Sequence, residues 1–141
     1  MSLHVRLAEL IVRHKPEVVA VEDLFHAKNA RSALKLGHVR GIVLLAASQA
    51  GVPVAEYTPT QVKRAVVGYG RAGKHQVQEM VTLLLGLEER PSPLDVSDAL
   101  AVAICHAHLQ GAIQNEIVKN DSSSQKIRSW RQYRVEGQGE S

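Results

Sequence analysis

The sequence has 141 residues, 45% of them hydrophobic, which predicts one globular domain with a modest core. Its single cysteine, Cys105, excludes an internal disulfide and fits a reducing compartment, so we expect a cytoplasmic protein. The N-terminal stretch is amphipathic, which argues against a secretory signal. We expect no apolar run to reach the length of a membrane span, and therefore no membrane partner.

The formal net charge of +3 is distributed unevenly along the chain. Between Leu24 and Gln78 there are eight Lys or Arg residues and one acid, Glu56, whereas the remainder holds nine bases and thirteen acids. A basic segment inside a nearly neutral protein is typical of contact with a polyanion such as nucleic acid. A solvated face without a specific partner explains the same charges equally well.

The first half of the chain alternates between helices and strands. Leucines at helical spacing predict a helix from about Leu3 that Pro16 ends, and the stretch EVVAVE then predicts a short buried strand. A long helix over residues 32–50 precedes a second strand, VPVAEY. Thr58 and Pro59 have the residue types that start a short third helix.

Two further helices and a polar tail complete the prediction. One helix is expected from about Lys74 to Leu85, and the last from about Leu94 to Leu109 with Gly111 as its stop. Residues 118–141 are predicted to be a disordered tail, which leaves residues 1–117 as the folded domain. The order of elements indicates an α/β fold with a parallel strand pair, although two strands alone make a poor sheet.

A glycine-rich turn between the third and fourth predicted helices has nearly the spacing of a phosphate-binding loop. Gly68 is followed after four residues by Gly73 and Lys74. A nucleotide-binding loop also needs a preceding strand and a Ser or Thr after the lysine, where His75 stands. The stretch is therefore interpreted as a turn between helices, or as a basic turn that meets nucleic-acid phosphate.

Three acids are placed where catalytic carboxylates occur. Glu22 ends the first predicted strand, and ligands gather at the carboxyl ends of strands in open α/β sheets. Asp95 and Asp98 share one face near the start of the last helix. Each has an ordinary structural explanation, and the neighbouring Asp23 is expected to lie in solvent. Together they form an oxygen donor set of the kind used in two-Mg²⁺ phosphodiester hydrolysis.

Three stretches resemble the RuvC-type Holliday junction resolvases, in family order from about Leu7 to His108. They are AVEDLFHAKNARSALKLGHVRG, TPTQVKRAVVGYGRAGKHQVQEMV and DVSDALAVAICHAH. The resemblance implies an RNase H-like α/β fold, with a mixed sheet flanked by helices. It also implies a homodimer that nicks four-way junction DNA on opposing strands in recombination and repair, associated with a branch-migration helicase complex.

The resemblance also implies roles for individual residues. Glu22, Asp95 and Asp98 would hold two Mg²⁺ ions per site, for which Mn²⁺ can substitute. Phe25 would stack into the junction and open base pairs. Two lysines, Lys63 and Lys74, would contact phosphate near the scissile bond, and Arg71 of the same basic turn is assigned to the DNA-binding surface with them.

The sequence departs from the family pattern at its start. The family begins with three strands, and the first carries an aspartate in a G-x-D-P-G stretch that this sequence lacks. We therefore expect an N-terminally truncated fold, with impaired cleavage. The alternatives are a non-catalytic protein that binds four-way junction DNA, an RNase H-like relative that acts on RNA, and the nucleotide-binding module disfavoured above.

Overall fold

The computed structural model describes residues 1–23 and 28–124, with side chains described as far as residue 117. The chain divides into two units, Met1–His108 and Leu109–Ser141, and all described candidate site residues belong to the first. The elements in chain order are α1 (Leu3–His14), β1 (Val19–Glu22), α2 (Ala30–Gln49), β2 (Val54–Tyr57), α3 (Pro59–Val67), α4 (Lys74–Leu84) and α5 (Leu94–Ser124).

Capping residues define where the early helices begin. The side chain of Ser2 accepts a hydrogen bond from the Val5 amide at the start of α1, and Asn29 accepts one from Ser32 at the start of α2. A capping box joins Thr58 and Gln61 at the start of α3. These bonds satisfy amide groups that a helix start leaves unpaired, so the predicted helix starts agree closely with the structure.

The two strands form a parallel pair that α2 connects. Glu22 at the end of β1 lies opposite Tyr57 at the end of β2. The Asp23 amide donates to the Tyr57 carbonyl at 2.7 Å, which extends the pairing one residue beyond Glu22. Side chains alternate along a strand, so Glu22 lies on the same face as Ala20, which packs against the core.

The hydrophobic core lies against that face and includes residues from β2 and α3 to α5. Its buried members are Tyr57, Val62, Val66, Ala72, Val77, Val81, Ala101, Val102, Ile104 and Cys105. By contrast, α1 contains no buried residue, and the groove between α1 and α2 is lined by apolar side chains. The elements that carry the candidate site residues therefore share one core.

The last helix is longer than the sequence predicted. It continues through Gly111 to Ser124, so residues 118–124 are helical and the prediction that they belong to a disordered tail is wrong. A glycine inside a helix costs only about 1 kcal/mol, which neighbouring helix-forming residues can offset. The division between units also falls after residue 108 rather than 117. Residues 125–141 of the predicted tail lie outside the described residues.

Helix α5 also corrects the expectation about apolar length. Its segment Leu94–Ile117 is long and apolar enough, by length and composition alone, to cross a membrane. The same segment carries Asp95 and Asp98 and contributes Ala101, Val102 and Cys105 to the core. Because a core helix of a folded domain passes the same test, this property is weak support for a membrane location.

The position of Val81 in the core gives a direct test of this packing. Val81 is fully buried, so Val81→Ala should lower the free energy of unfolding by about 2 kcal/mol through lost burial and a residual cavity. The control is Leu83→Ala, because Leu83 on the same helix is 74% exposed and should change stability by no more than about 0.5 kcal/mol. Urea denaturation measures both, and equal effects would contradict the described orientation of α4.

Candidate active site

A cleft of about 360 Å³ lies at the carboxyl end of β1. Its polar lining residues are Glu22, Lys63, Lys74, Asp95 and Asp98, and its apolar lining is Pro59, Val62, Val77 and Ala101. The polar residues come from β1, α3, α4 and α5, which are widely separated along the chain. The structure therefore brings together five of the seven residues that the sequence singled out, although their individual roles stay predictions.

Glu22 has the most perturbed carboxyl group in the cleft. Its partial burial raises the pKa of Glu22 above the ordinary value, and the negative charge of Asp98 raises it further. Lys63 and Lys74 act in the opposite direction on the same pKa. Perturbed carboxyl groups in clefts are concentrated at functional sites, so Glu22 is the leading catalytic candidate.

The glycine-rich turn holds Lys74 at the start of α4. Gly68 ends α3 in the left-handed conformation, with φ +101°, and the buried Ala72 anchors the turn in the core. The Gly73 amide then donates to the Gln76 side chain at 2.8 Å. A helix, not a strand, precedes the turn, so the context of a nucleotide-binding loop is absent here.

The donor atoms in the cleft suit a hard divalent cation. Three carboxylates line it, and Mg²⁺ prefers oxygen ligands. Partial burial, and then the negative charge of Asp98, raise the pKa of Glu22, whereas Asp95 is exposed. Among the described side chains, those of residues 1–23 and 28–117, no three His, Cys, Asp or Glu residues are grouped closely enough to hold a metal ion. The residue types therefore fit a divalent cation, although the three carboxylates are not grouped closely enough to hold one.

Two further residues were predicted to bind DNA. Arg71 is exposed in the glycine-rich turn and is not among the residues that line the described cleft. Phe25 belongs to residues 24–27, which lie outside the described residues. Their assignments stay predictions.

An ion-pair cluster beside β1 was missed by the sequence interpretation. Arg40 of α2 donates to Asp23 at 2.8 Å and to Glu56 at 2.7 Å. The expectation that Asp23 lies in solvent is wrong, because its side chain is only 21% exposed and paired. In the sequence, Arg40 is one of the eight bases of the segment between Leu24 and Gln78. The one sequence signal was Glu56, the single acid within that basic segment.

A second tie joins β2 to α5 on the core side. The Tyr57 hydroxyl and the His106 ring nitrogen Nδ1 form a hydrogen bond, and burial raises the pKa of Tyr57. His108 is bonded in turn to the Ala65 carbonyl at 3.1 Å. These histidines therefore connect the strand and helices that surround the cleft.

The sequence matches the family model described as crossover junction endodeoxyribonuclease RuvC over residues 2–106. The RuvC of Pelotomaculum thermopropionicum is 61% identical over 107 residues, covering 76% of this chain and 65% of the relative. The RuvC of Moorella thermoacetica is 59% identical over 106 residues, covering 75% and 64%. The chain thus spans about 65% of the length of the curated relatives that it matches.

Two solved structures have the same fold. Thermus thermophilus RuvC matches with a TM-score of 0.72 and 46% identity, covering 77% of this chain and 66% of that one. The T. thermophilus RuvC in complex with Holliday junction substrate matches with a TM-score of 0.73 and 47% identity, covering 76% and 65%. The predicted RNase H-like α/β class is therefore confirmed. With a family model that matches most of its length and relatives of such identity, this chain belongs to the RuvC family.

Proposed function

We propose that this chain is a structure-selective endonuclease that nicks four-way junction DNA. The observation that carries the proposal is the convergence of Glu22, Asp98, Lys63 and Lys74 in one cleft. Carboxylates and lysines facing each other can hold a cation and a phosphate at once. The T. thermophilus relative that shares this fold was solved with a Holliday junction substrate, which supports the choice of DNA.

The lysines and carboxylates have separate tasks in this proposal. Lys63 and Lys74 bind the backbone phosphate and place it over the carboxylates, since lysine acts as a compact point charge for phosphate. Glu22, Asp95 and Asp98 would together hold Mg²⁺, for which Mn²⁺ can substitute. When bound, the metal supplies a nucleophile at neutral pH and neutralises charge on the phosphate. We propose that each site binds two ions.

Paired nicking on opposing strands requires two clefts, so we propose a homodimer. Leu34, Leu36, Val39 and Leu45 of α2 are exposed, and a second copy is the partner that the paired reaction demands. The buried side chains of α2 are Ala46 and Ala47. The branch-migration helicase, the cytoplasmic location and the stacking of Phe25 stay predictions.

One observation favours a second function, a non-catalytic protein that binds four-way junctions. The described residues contain no group of three carboxylates close enough to hold a metal ion. A two-metal displacement depends on both metal sites, so incomplete coordination would leave binding without cleavage. The expected impairment of cleavage stays a prediction, which the junction-nicking assay described next can test.

The carboxylates can be tested by nicking of a labelled four-way junction. Glu22→Gln and Asp98→Asn should each lower the single-turnover nicking rate by roughly 100-fold or more, since even outer partners of metal ligands contribute about 10–100-fold. Junction binding should be retained, because both substitutions remove negative charge from a DNA-facing cleft. The assay compares Mg²⁺, Mn²⁺ and a chelator.

The control for this assay is Glu88→Gln, which neutralises an exposed acid outside the cleft lining and should nick as the unmodified chain does. Nicking by the Glu22 and Asp98 variants at the unmodified rate would refute the site assignment. An unmodified chain that prefers junctions to duplex but nicks neither with Mg²⁺ nor with Mn²⁺ would support the non-catalytic alternative.

The lysines can be tested through the salt dependence of binding. Lys63→Ala and Lys74→Ala should each lower the slope of log affinity against log salt by about 0.9, because each removes one phosphate contact. Binding of a junction with duplex arms is measured across a salt series. Arg13→Ala on α1 is the control, since Arg13 is exposed and lies outside the cleft lining. Slopes that stay unchanged for both lysine variants would contradict the phosphate role.

The raised pKa of Glu22 implies a pH-dependent stability. A carboxyl group that binds its proton more tightly in the folded chain makes the protein less stable as pH rises between its unfolded and folded pKa. Without divalent cations, Glu22→Gln should therefore raise the melting temperature near neutral pH. The gain should shrink as pH falls toward 4.5, the ordinary pKa of the group.

Thermal melts in chelator over a pH series measure this effect, with Glu88→Gln as the exposed control. A Glu22→Gln chain that is less stable than the unmodified chain at neutral pH would show that the carboxylate is stabilised, not strained, by its surroundings.

A further inference from the structure

Arg40 joins three elements at the end of the sheet next to Glu22. Its Nη1 donates to Oδ1 of Asp23, at 2.8 Å, and its Nη2 donates to Oε2 of Glu56, at 2.7 Å. Asp23 directly follows β1, Glu56 is the third residue of β2, and Arg40 lies in the middle of α2. One guanidinium group therefore ties both strands to the helix that connects them.

The register of the strands puts this clamp across the sheet from the cleft. Glu22 lies opposite Tyr57, and Val21 lies opposite Glu56. Because side chains alternate along a strand, Glu56 and Asp23 lie on the α2 face, while Glu22 lies on the face that forms the cleft. The clamp consequently restrains the backbone directly after Glu22 and links it to the neighbouring strand β2, without occupying the cleft.

Only arginine has the geometry for this task. Its planar guanidinium presents several donors in a rigid fork, so that two carboxylates can be held in one fixed arrangement. Lysine has a point charge on a flexible stem and would not fix both partners at once. The side chains of Arg40, Asp23 and Glu56 are 34%, 21% and 37% exposed. Ion pairs so open to water add little to stability. We therefore expect the clamp, which is Arg40 bonded to Asp23 and Glu56, to affect the position of the neighbouring backbone more than the stability of the fold.

We propose that Arg40 is a positioning residue that holds Glu22 in its working place by clamping Asp23 to Glu56. The inference rests on the proposed function, because it concerns the rate at which that function proceeds. In the sequence, Arg40 is one of the eight bases of the segment between Leu24 and Gln78, with no role of its own assigned. The physical reason is that a displacement of about 1 Å at a reacting group can lower a rate by about 100-fold.

The test compares Arg40→Met and Arg40→Lys with the unmodified chain. At saturating protein, Arg40→Met should lower the single-turnover rate of junction nicking by about 10- to 100-fold, because Glu22 loses its fixed position. The junction dissociation constant should change by less than about twofold, since no phosphate contact is removed. Arg40→Lys should recover only part of the rate, although it keeps the charge.

The matched control is Arg90→Met. Arg90 also donates to a glutamate at 2.7 Å, but both side chains are more than half exposed and neither lines the cleft. This variant should nick and bind as the unmodified chain does. If Arg40 only stabilises the fold, Arg40→Met should lower the melting temperature. Its nicking rate should then be unchanged when the assay is run well below that melting temperature. A DNA contact would instead raise the dissociation constant and lower the salt slope.

A second measurement does not depend on nicking. The Asp23 amide donates to the Tyr57 carbonyl, so its hydrogen exchange reports on the clamped end of the sheet. Arg40→Met should speed this exchange severalfold and leave the amide of the buried Val81 unchanged. If the unmodified chain does not nick, the proposed function fails. The exchange of the Asp23 amide then still shows whether Arg40 restrains this end of the sheet. Unchanged protection of Asp23, or nicking by Arg40→Met at the unmodified rate, would overturn the proposal.

Discussion

The partly buried carboxylate of Glu22 beside Asp98 is the constraint on which the site depends. Burial and a like charge both disfavour ionisation of Glu22, and the two lysines of the cleft compensate only in part. Perturbed carboxyl groups in clefts are concentrated at functional sites, so this arrangement supports the role proposed for Glu22.

Several parts of the first unit surround that carboxylate. The strand pair positions Glu22 at its carboxyl end, the core beneath it fixes α3 to α5, and the glycine-rich turn aims Lys74 into the cleft. Ties on the two faces of the sheet, Arg40 on one and Tyr57 with His106 on the other, connect strand ends to helices. Binding residues carried by regular elements can be placed more accurately than residues carried by loops.

Local structure followed well from the sequence because its causes are local. Thr58 and Gln61 cap the helix that begins at Pro59, and this pattern is complete within four neighbouring residues. The end of α5 did not follow, since Gly111 is a stop signal only when the residues beyond it cannot sustain the helix. The prediction that Asp23 lies in solvent was also wrong. Its partner Arg40 is seventeen residues away and meets it only after α2 packs on the sheet.

By itself, the sequence determined the order of the elements, the residue types available for chemistry, and the family to which their motifs belong. Periodicity, capping and turn residues act between near neighbours, so they can be read before any folding is considered. Only the tertiary structure decided that Glu22, Lys63, Lys74 and Asp98 share one cleft, that Asp95 stays exposed, and that Arg40 faces two acids. Those relations depend on how distant elements pack, and packing determines burial and charge proximity, which no spacing along the chain specifies.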